Sequence, residues 1–373
     1  MILKTKLIYM TKKKILIATG GTGGHIFPAL GLAKNLIKNN YDIRLTVDPR
    51  GLKYLGDRNE IKLTKISTSP LVKKNIFTLL KSIIIIFFSI IKSLFLLSTK
   101  RPNLVFGMGG YSSFPICIAA VILKIKFIIY ENNLIIGKAN KYLLNFAERI
   151  FVSYNDLEGI TEKNKKKIIV VGNIIREEII NYNLNNDPKS KGNTLNILVL
   201  GGSQGAKVFA EKLPKEFKKI KDSGISIKIY QQCQANQNDE LSNFYKKESI
   251  EYEIFNFSNK IVNYYSKADL VITRSGASAL GELINVKLPF IAVPLPTSAD
   301  NHQLRNASYY EKKGLGYLLE EKNISKQLYE LIQSNFRNNN KIQSIILKQS
   351  QYSDKDVYNE LNINIEKIIN EKN

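Results

Sequence analysis

Histidine is scarce in this chain, two among 373 residues, and one of them closes a run of glycines: Ala18-Thr19-Gly20-Gly21-Thr22-Gly23-Gly24-His25-Ile26-Phe27-Pro28. An imidazole changes charge near neutral pH, so His25 can take or give a proton there. The four glycines let the backbone adopt positive φ and approach a ligand with no Cβ in the way. If a helix follows, its first N–H groups point back at the loop, and Thr22, Gly23 and Gly24 become a phosphate cradle. The plainer reading is a glycine-rich turn with a surface histidine. The run is not the dinucleotide fingerprint, which needs no histidine at that place.

Four further clusters could do chemistry. Glu131-Asn132-Asn133 follows an apolar run and offers a carboxylate and amides where α/β proteins bind ligands. Glu131 could equally cap a helix or join a surface pair. Gly201-Gly202-Ser203-Gln204-Gly205-Ala206 is a second phosphate-type loop. Arg274-Ser275-Gly276-Ala277-Ser278 is a small-residue turn into a helix, a third place where bare N–H groups could meet a diphosphate. Glu282 lies one turn further on and is either a ribose ligand or an ordinary helix residue. In Asp300-Asn301-His302-Gln303-Leu304-Arg305-Asn306-Ala307, the amides of Gln303 and Asn306 are three apart at a helix start and could both face one ligand. His302 is either a loop residue or a contact. Tyr111 and Ser112, after the pair Gly109-Gly110, stand equally open.

The elements around these clusters repeat one grammar of strand, glycine turn and helix. Strands are expected at 14–17, 41–47, 61–67, 103–106, 127–130, 149–153 and 168–171. Helices are expected at 29–36, 116–123 and 138–147. A polar stretch, Asn181 to Thr194, has no apolar period and lies beside the expected domain boundary. The grammar then restarts, with strands at 196–200, 225–230, 252–255, 268–273 and 289–296. Helices are expected at 259–267 and 279–283, and polar helices from 321 to the end. Two Rossmann-like halves are the strongest fold signal.

The stretch 75–98 stands apart, with Ile83-Ile84-Ile85-Ile86-Phe87-Phe88 at its centre. Its uninterrupted apolar part is shorter than a span needs, and Lys81 and Lys92 bracket it. It reads as a buried crossover helix, as a helix whose exposed part meets lipid with Lys73, Lys74, Lys81, Lys92 and Lys100 at the headgroups, or as a single span. The formal net charge of +23 argues for a polyanionic partner or an anionic membrane. Residues 1–100 hold 18 Lys or Arg against 4 Asp or Glu. No lysine–aromatic platform or recognition motif supports nucleic-acid binding. Cys117 and Cys233 are far apart, which suggests a reducing compartment. The first residues lack a signal-peptide core, and Met10 is an alternative start.

Seven motifs in order, Gly20–Pro28, Gly107–Tyr111, Glu131–Asn133, Gly172–Arg176, Gly201–Ala206, Arg274–Glu282 and Asp300–Ala307, resemble the MurG family of peptidoglycan glycosyltransferases. The resemblance implies an α/β, GT-B glycosyltransferase with two Rossmann-like domains facing across a cleft. It places an acceptor and membrane-facing domain at 1–174, a UDP-GlcNAc-binding domain at 175–345, and a tail, 346–373, whose helix packs back on the first domain. The implied reaction is inverting transfer of GlcNAc from UDP-GlcNAc to lipid I, giving lipid II. His25 would be the candidate base, with Asn133 near the transfer site and Glu131 an orienter or alternative base. Arg176 and Ser203 would meet the donor diphosphate, and Glu282 the ribose. Ser258 would lie near the uracil, and Gln303 and Asn306 would contact the sugar. Thr22, Gly23, Gly24, Gly202, Gln204, Ser275, Gly276 and Ala277 complete the loops.

No metal site and no required cofactor are implied, although a divalent cation could raise activity. The implied partners are lipid I, an anionic membrane surface at the cytoplasmic face of a bacterial inner membrane and other cell-wall synthesis proteins, with no nucleic acid. The chain departs from the family pattern in having Tyr130 where a histidine is usual and Ile174 where a proline is usual. The rival readings are a GT-B transferase with another acceptor, a UDP-sugar 2-epimerase and a non-catalytic lipid-binding protein.

Overall fold

Thirteen strands fall into two parallel sheets in the computed structural model, which describes residues 12–55, 61–70, 75–182, 194–202, 207–258, 260–336 and 339–371. Met1, Met10, Lys73, Lys74, Ser203 and Gln204 lie outside the described residues. The first sheet has the order β3 (Lys62–Lys65), β2 (Asp42–Val47), β1 (Lys14–Thr19), β4 (Leu104–Gly107), β5 (Phe127–Glu131), β6 (Arg149–Val152), β7 (Ile168–Val170). The second runs β10 (Glu251–Phe255), β9 (Ile227–Gln232), β8 (Leu195–Leu200), β11 (Leu270–Thr273), β12 (Phe290–Ala292), β13 (Tyr317–Leu318). The central strands are unbroken apolar runs, such as Leu104-Val105-Phe106, because helices cover both faces of a parallel sheet.

The strand orders locate the binding crevices. The order reverses direction between β1 and β4 in the first sheet, and between β8 and β11 in the second. Loops leaving the carboxyl ends of such neighbours diverge to opposite faces and open a crevice. The glycine runs 20–24 and 107–110 therefore lie side by side, and so do 201–202 and 274–276.

The chain crosses between the two sheets twice. The first crossing is Val171–Arg176. The second follows the helix Asn339–Gln349, whose Gln349 amide donates to the Leu288 and Leu315 carbonyls of the second core. The helix Val357–Asn370 then returns to the first core through Val357, Leu361, Ile365 and Ile368. These recur every three or four residues on one face, and each contributes roughly 1.5–3 kcal/mol when fully buried. Gly31 makes room for Tyr358, whose hydroxyl donates to the Ile175 carbonyl at 2.7 Å.

Several sequence expectations change: the helix expected at 138–147 is Lys138–Leu143 and the strand expected at 289–296 is Phe290–Ala292. The helix expected at 259–267 is shorter, Val262–Tyr265, with Tyr265 buried at its end and Asn259 outside the described residues. The helix Ile76–Lys100 is a crossover helix, but not a buried one. It buries Ser82, Ser89 and Ser93 and exposes Phe77, Ile84, Phe87, Phe88 and Phe95, the last by 72%. The serines donate back to carbonyls one turn earlier, which lets polar side chains sit inside (Ser93 to Ser89 at 2.6 Å). The apolar face is left to the outside.

Candidate functional site

The two crevices open on one cavity of about 600 Å³. From the first half come Thr22, Gly23, Gly24, His25, Phe27, Asn132 and Asn133. From the second half and the linker come Arg176, Gly202, Ser258, Gly276, Ala277, Ser278, Glu282, His302 and Gln303.

His25 is the third residue of the helix Gly23–Lys38. Gly109 and Gly110 hold φ of +83° and +70° beside it, and a Cβ on either would come within 3.6 Å of the imidazole. Burial lowers the His25 pKa below the ordinary histidine value, against the pull of Glu131 and the Met108 backbone, while His302 and Arg50 add to the lowering. The ring is therefore neutral at pH 7 and can accept a proton. Asp48, which the sequence reading passed over, braces this loop. It accepts from the Gly21 and Gly51 amides at 2.8 and 2.9 Å and from Arg50 Nε at 2.7 Å. The legible signal was Asp48-Pro49, an N-cap followed by proline at the first helical position.

Glu131 is buried and does not line the cavity. Its Oε1 accepts from the backbone N and Nδ2 of Asn133, at 3.1 and 2.9 Å. Its Oε2 accepts from the Gly137 amide and Asn140 Nδ2, at 2.9 and 3.0 Å. Four donors occupy the carboxylate, so its surroundings are those of an orienting residue, and what it orients is Asn133.

On the other side, Arg176 and Glu282 pair with each other. Arg176 Nε and Nη2 donate to the two Glu282 oxygens at 3.0 and 2.9 Å, and Tyr265 adds its hydroxyl at 3.0 Å. Arg176 Nη1 meets Glu178 at 3.1 Å, and the guanidinium lies over the Phe27 ring. The Glu282 carboxylate raises the Arg176 pKa despite burial. The sequence reading gave these residues separate tasks and did not anticipate the pair.

Two expected contacts are corrected. Ser275 is fully buried behind its loop, so its side chain does not face the cavity. Gln303 and Asn306 do not aim at one point. Gln303 lines the cavity and accepts from the Leu295 amide at 2.9 Å. Asn306 is 0% exposed. Its Oδ1 accepts from the Leu134 amide, and its Nδ2 donates to Asn133 Oδ1 and the Ser275 carbonyl, all within 3.2 Å. Three residues along a helix set the two side chains about 60° apart and about 4.5 Å along the axis, so Gln303 stays at the cavity while Asn306 turns into the core. Both histidines of the chain reach the cavity. His302, which the sequence left open, is anchored through Nδ1 to the Ala299 carbonyl at 2.7 Å. The Phe27–Phe257 stack across the cleft, with centroids 6.4 Å apart, had no sequence signal because its partners are 230 positions apart.

Two parallel α/β sheets whose crevices share a cavity, one side carrying a neutral imidazole and the other helix N-termini, define a two-domain GT-B glycosyltransferase. Residues 15–152 match the glycosyltransferase family 28 N-terminal domain, and 196–361 match its C-terminal domain. The chain belongs to the MurG family. A Pelagibacter ubique protein named UDP-N-acetylglucosamine--N-acetylmuramyl-(pentapeptide) pyrophosphoryl-undecaprenol N-acetylglucosamine transferase is 36% identical over 363 residues, 96% of this chain and 99% of that one. A Rickettsia felis protein of the same name is 37% identical over 320 residues, 84% of this chain and 88% of its own. The crystal structure of Acinetobacter baumannii MurG has the same fold, with a TM-score of 0.77 at 23% identity over 96% of this chain and all of that one.

The two family departures explain each other. Tyr130 is buried, and its hydroxyl accepts from the Ile174 amide at 2.9 Å and pairs with Ser153 at 2.8 Å. A proline at 174 would have no N–H to give. Residue 130 thus holds the linker and has no part in the cavity.

Proposed function

We propose that this chain transfers N-acetylglucosamine from UDP-N-acetylglucosamine to the 4-hydroxyl of MurNAc in lipid I, with inversion, and so makes lipid II. The observation that carries the reading is the shared cavity, with an imidazole on one wall and phosphate-cradling N–H groups on the other. Residues 1–174 take the acceptor and 175–345 the donor, while the tail, 346–373, ties the two.

The acceptor alcohol is a poor nucleophile until a base takes its proton as the new bond forms. His25, kept neutral by burial, is that base, and the 20–24 loop beside it holds the lipid diphosphate. Asn133, fixed by Glu131, orients the acceptor. The departing UDP gains negative charge. The amides at Gly202 and at the start of the helix Ala277–Asn285 meet that charge, and Arg176 adds a cation. Glu282 Oε1, with one donor already, keeps room to accept from a ribose hydroxyl. Gln303 reaches the sugar and Ser258 the base. Stabilisation by amides and a guanidinium leaves a divalent cation as an activator.

The outward face of the helix Ile76–Lys100 supports docking on the cytoplasmic face of a bacterial inner membrane. Phe77, Phe87, Phe88 and Phe95 would enter the interface, with Lys81, Lys92 and Lys100 at the headgroups. The helix is long and apolar enough to span, but its serine face packs on the domain as the crossover from β3 to β4.

Labelled UDP-N-acetylglucosamine incubated with a lipid I analogue tests the reading. Sugar transfer to the lipid is expected. Transfer only to a soluble acceptor would favour the rival GT-B reading. In His25→Ala, donor binding should persist while turnover falls by about 10²–10⁴-fold, the usual contribution of general base catalysis. Near-normal turnover would remove His25 as the base.

A further inference from the structure

Proline inside a helix removes one hydrogen bond, because its nitrogen cannot donate to the carbonyl four residues back. Pro28 lies in the helix Gly23–Lys38, and the carbonyl four residues back is that of Gly24, in the glycine loop itself. That carbonyl accepts instead from Ser278 Oγ, at 2.9 Å, across the cleft. Ser278 Oγ in turn accepts from Asn132 Nδ2 at 3.2 Å. One hydroxyl of the donor half therefore ties together the loop carrying His25 and the loop carrying Asn133. A second tie runs parallel to it, with Asn306 holding Asn133 and the Leu134 amide on one side and the Ser275 carbonyl on the other.

We propose that Ser278 and Asn306 are positioning residues for the transfer step, which hold the two acceptor loops against the donor loop at Ser275–Ser278. They act on the protein and not on the donor. Ser278 spends its hydrogen on Gly24 and Asn306 is enclosed, so neither is needed to recognise the sugar nucleotide. Pro28 belongs to the device because it leaves the Gly24 carbonyl without its usual helical donor. The inference rests on the transfer activity proposed above.

The test uses the full chain, with labelled transfer to the lipid I analogue and separate titration of UDP. Wild-type transfer must be seen first, and its absence would count against the function and not against this device. Ser278→Ala should lower kcat by about five- to tenfold, the size of one hydrogen bond, with UDP affinity unchanged. Ser278→Thr, which keeps the hydroxyl, should restore most of it. Pro28→Ala returns a helical donor to the Gly24 carbonyl and touches no ligand. It should lower kcat in the same way, and the double variant should be no worse than the lower single, because both changes act on one bond. Asn306→Asp keeps the size but removes the amide donation to Asn133 and the Ser275 carbonyl, and should lower kcat with UDP affinity unchanged. A raised donor KM at constant kcat in Ser278→Ala or Asn306→Asp would make that residue a donor contact and overturn the proposal. Additive losses from Pro28→Ala and Ser278→Ala would overturn the role of the shared carbonyl. A melting curve accompanies each variant, and Asn306→Ser, which removes the amide without adding a charge, supplies the answer should Asn306→Asp fail to fold.

Discussion

At the scale of single residues, the site is set by what each side chain has already spent. Glu131 has spent both oxygens and Asn306 its whole amide, so neither is free for substrate. Arg176 has committed Nη1 to Glu178, which is half exposed. An exposed ion pair is worth about 0–1 kcal/mol. Glu178→Ala should therefore release Arg176 toward the diphosphate and tighten UDP binding by up to about fivefold, as read by calorimetry. His25 gives a pH prediction. Its pKa in the fold lies below the ordinary 6.5. The neutral, base-competent form then persists through pH 6.5, and kcat/KM should lose activity only at a midpoint below that value. The linkage has the same sign: the unfolded chain binds this proton more readily, so the His25 contribution to stability is present above 6.5 and is lost as pH falls toward the folded value. An acid limb centred above 6.5 would contradict the burial argument.

At the scale of elements, the strands and their glycine exits were legible because they repeat one local pattern. β-Branched runs fed small-residue turns, and both sheets place those turns at their crevices. What local pattern did not reveal was bracing. Asp48 caps a four-residue helix and at the same time holds the Gly21 amide, which lies 27 positions earlier. Nearby Arg50 and the two amides keep its carboxyl below the usual range in spite of burial. Asp48→Ala should cost about 0.5–2 kcal/mol in cap energy, read as a lower Tm, and should loosen the glycine loop enough to reduce turnover. A variant with unchanged Tm would show that the cap carries no stability. The helix Val262–Tyr265 ends on Tyr265, whose hydroxyl donates to Glu282, a partner that only the fold brings near.

At the scale of the molecule, two crossings of the chain bind the halves near one point. The half-buried Asp354 accepts from the Asn173 backbone amide at 2.9 Å in the first crossing, and its own amide donates to Asn285 Oδ1 at 2.9 Å at the far end of the helix that starts at Ala277. The joint and the cavity thus share a helix. The net charge of +23 and the exposed aromatic face of Ile76–Lys100 act together in the proposed docking. Binding to anionic vesicles should exceed binding to neutral ones and weaken as salt shortens the screening length toward about 3 Å at 1 M. Replacing Phe87 and Phe88 with serine should reduce binding to both vesicle types without changing UDP affinity. Equal, negligible binding to both vesicle types by the unaltered chain would defeat the docking reading.

The sequence by itself determined the two α/β halves, the glycine loops and the residues from which a site could be made, since these depend on backbone freedom and apolar runs over a few neighbouring positions. The tertiary structure decided how those residues are used. It paired Arg176 with Glu282, enclosed Asn306, joined Tyr130 to Ile174 and turned the carbonyl freed by Pro28 toward Ser278. Each of these joins groups between 31 and 254 positions apart. A hydrogen bond depends on distances near 3 Å, and no local pattern carries that information along the chain.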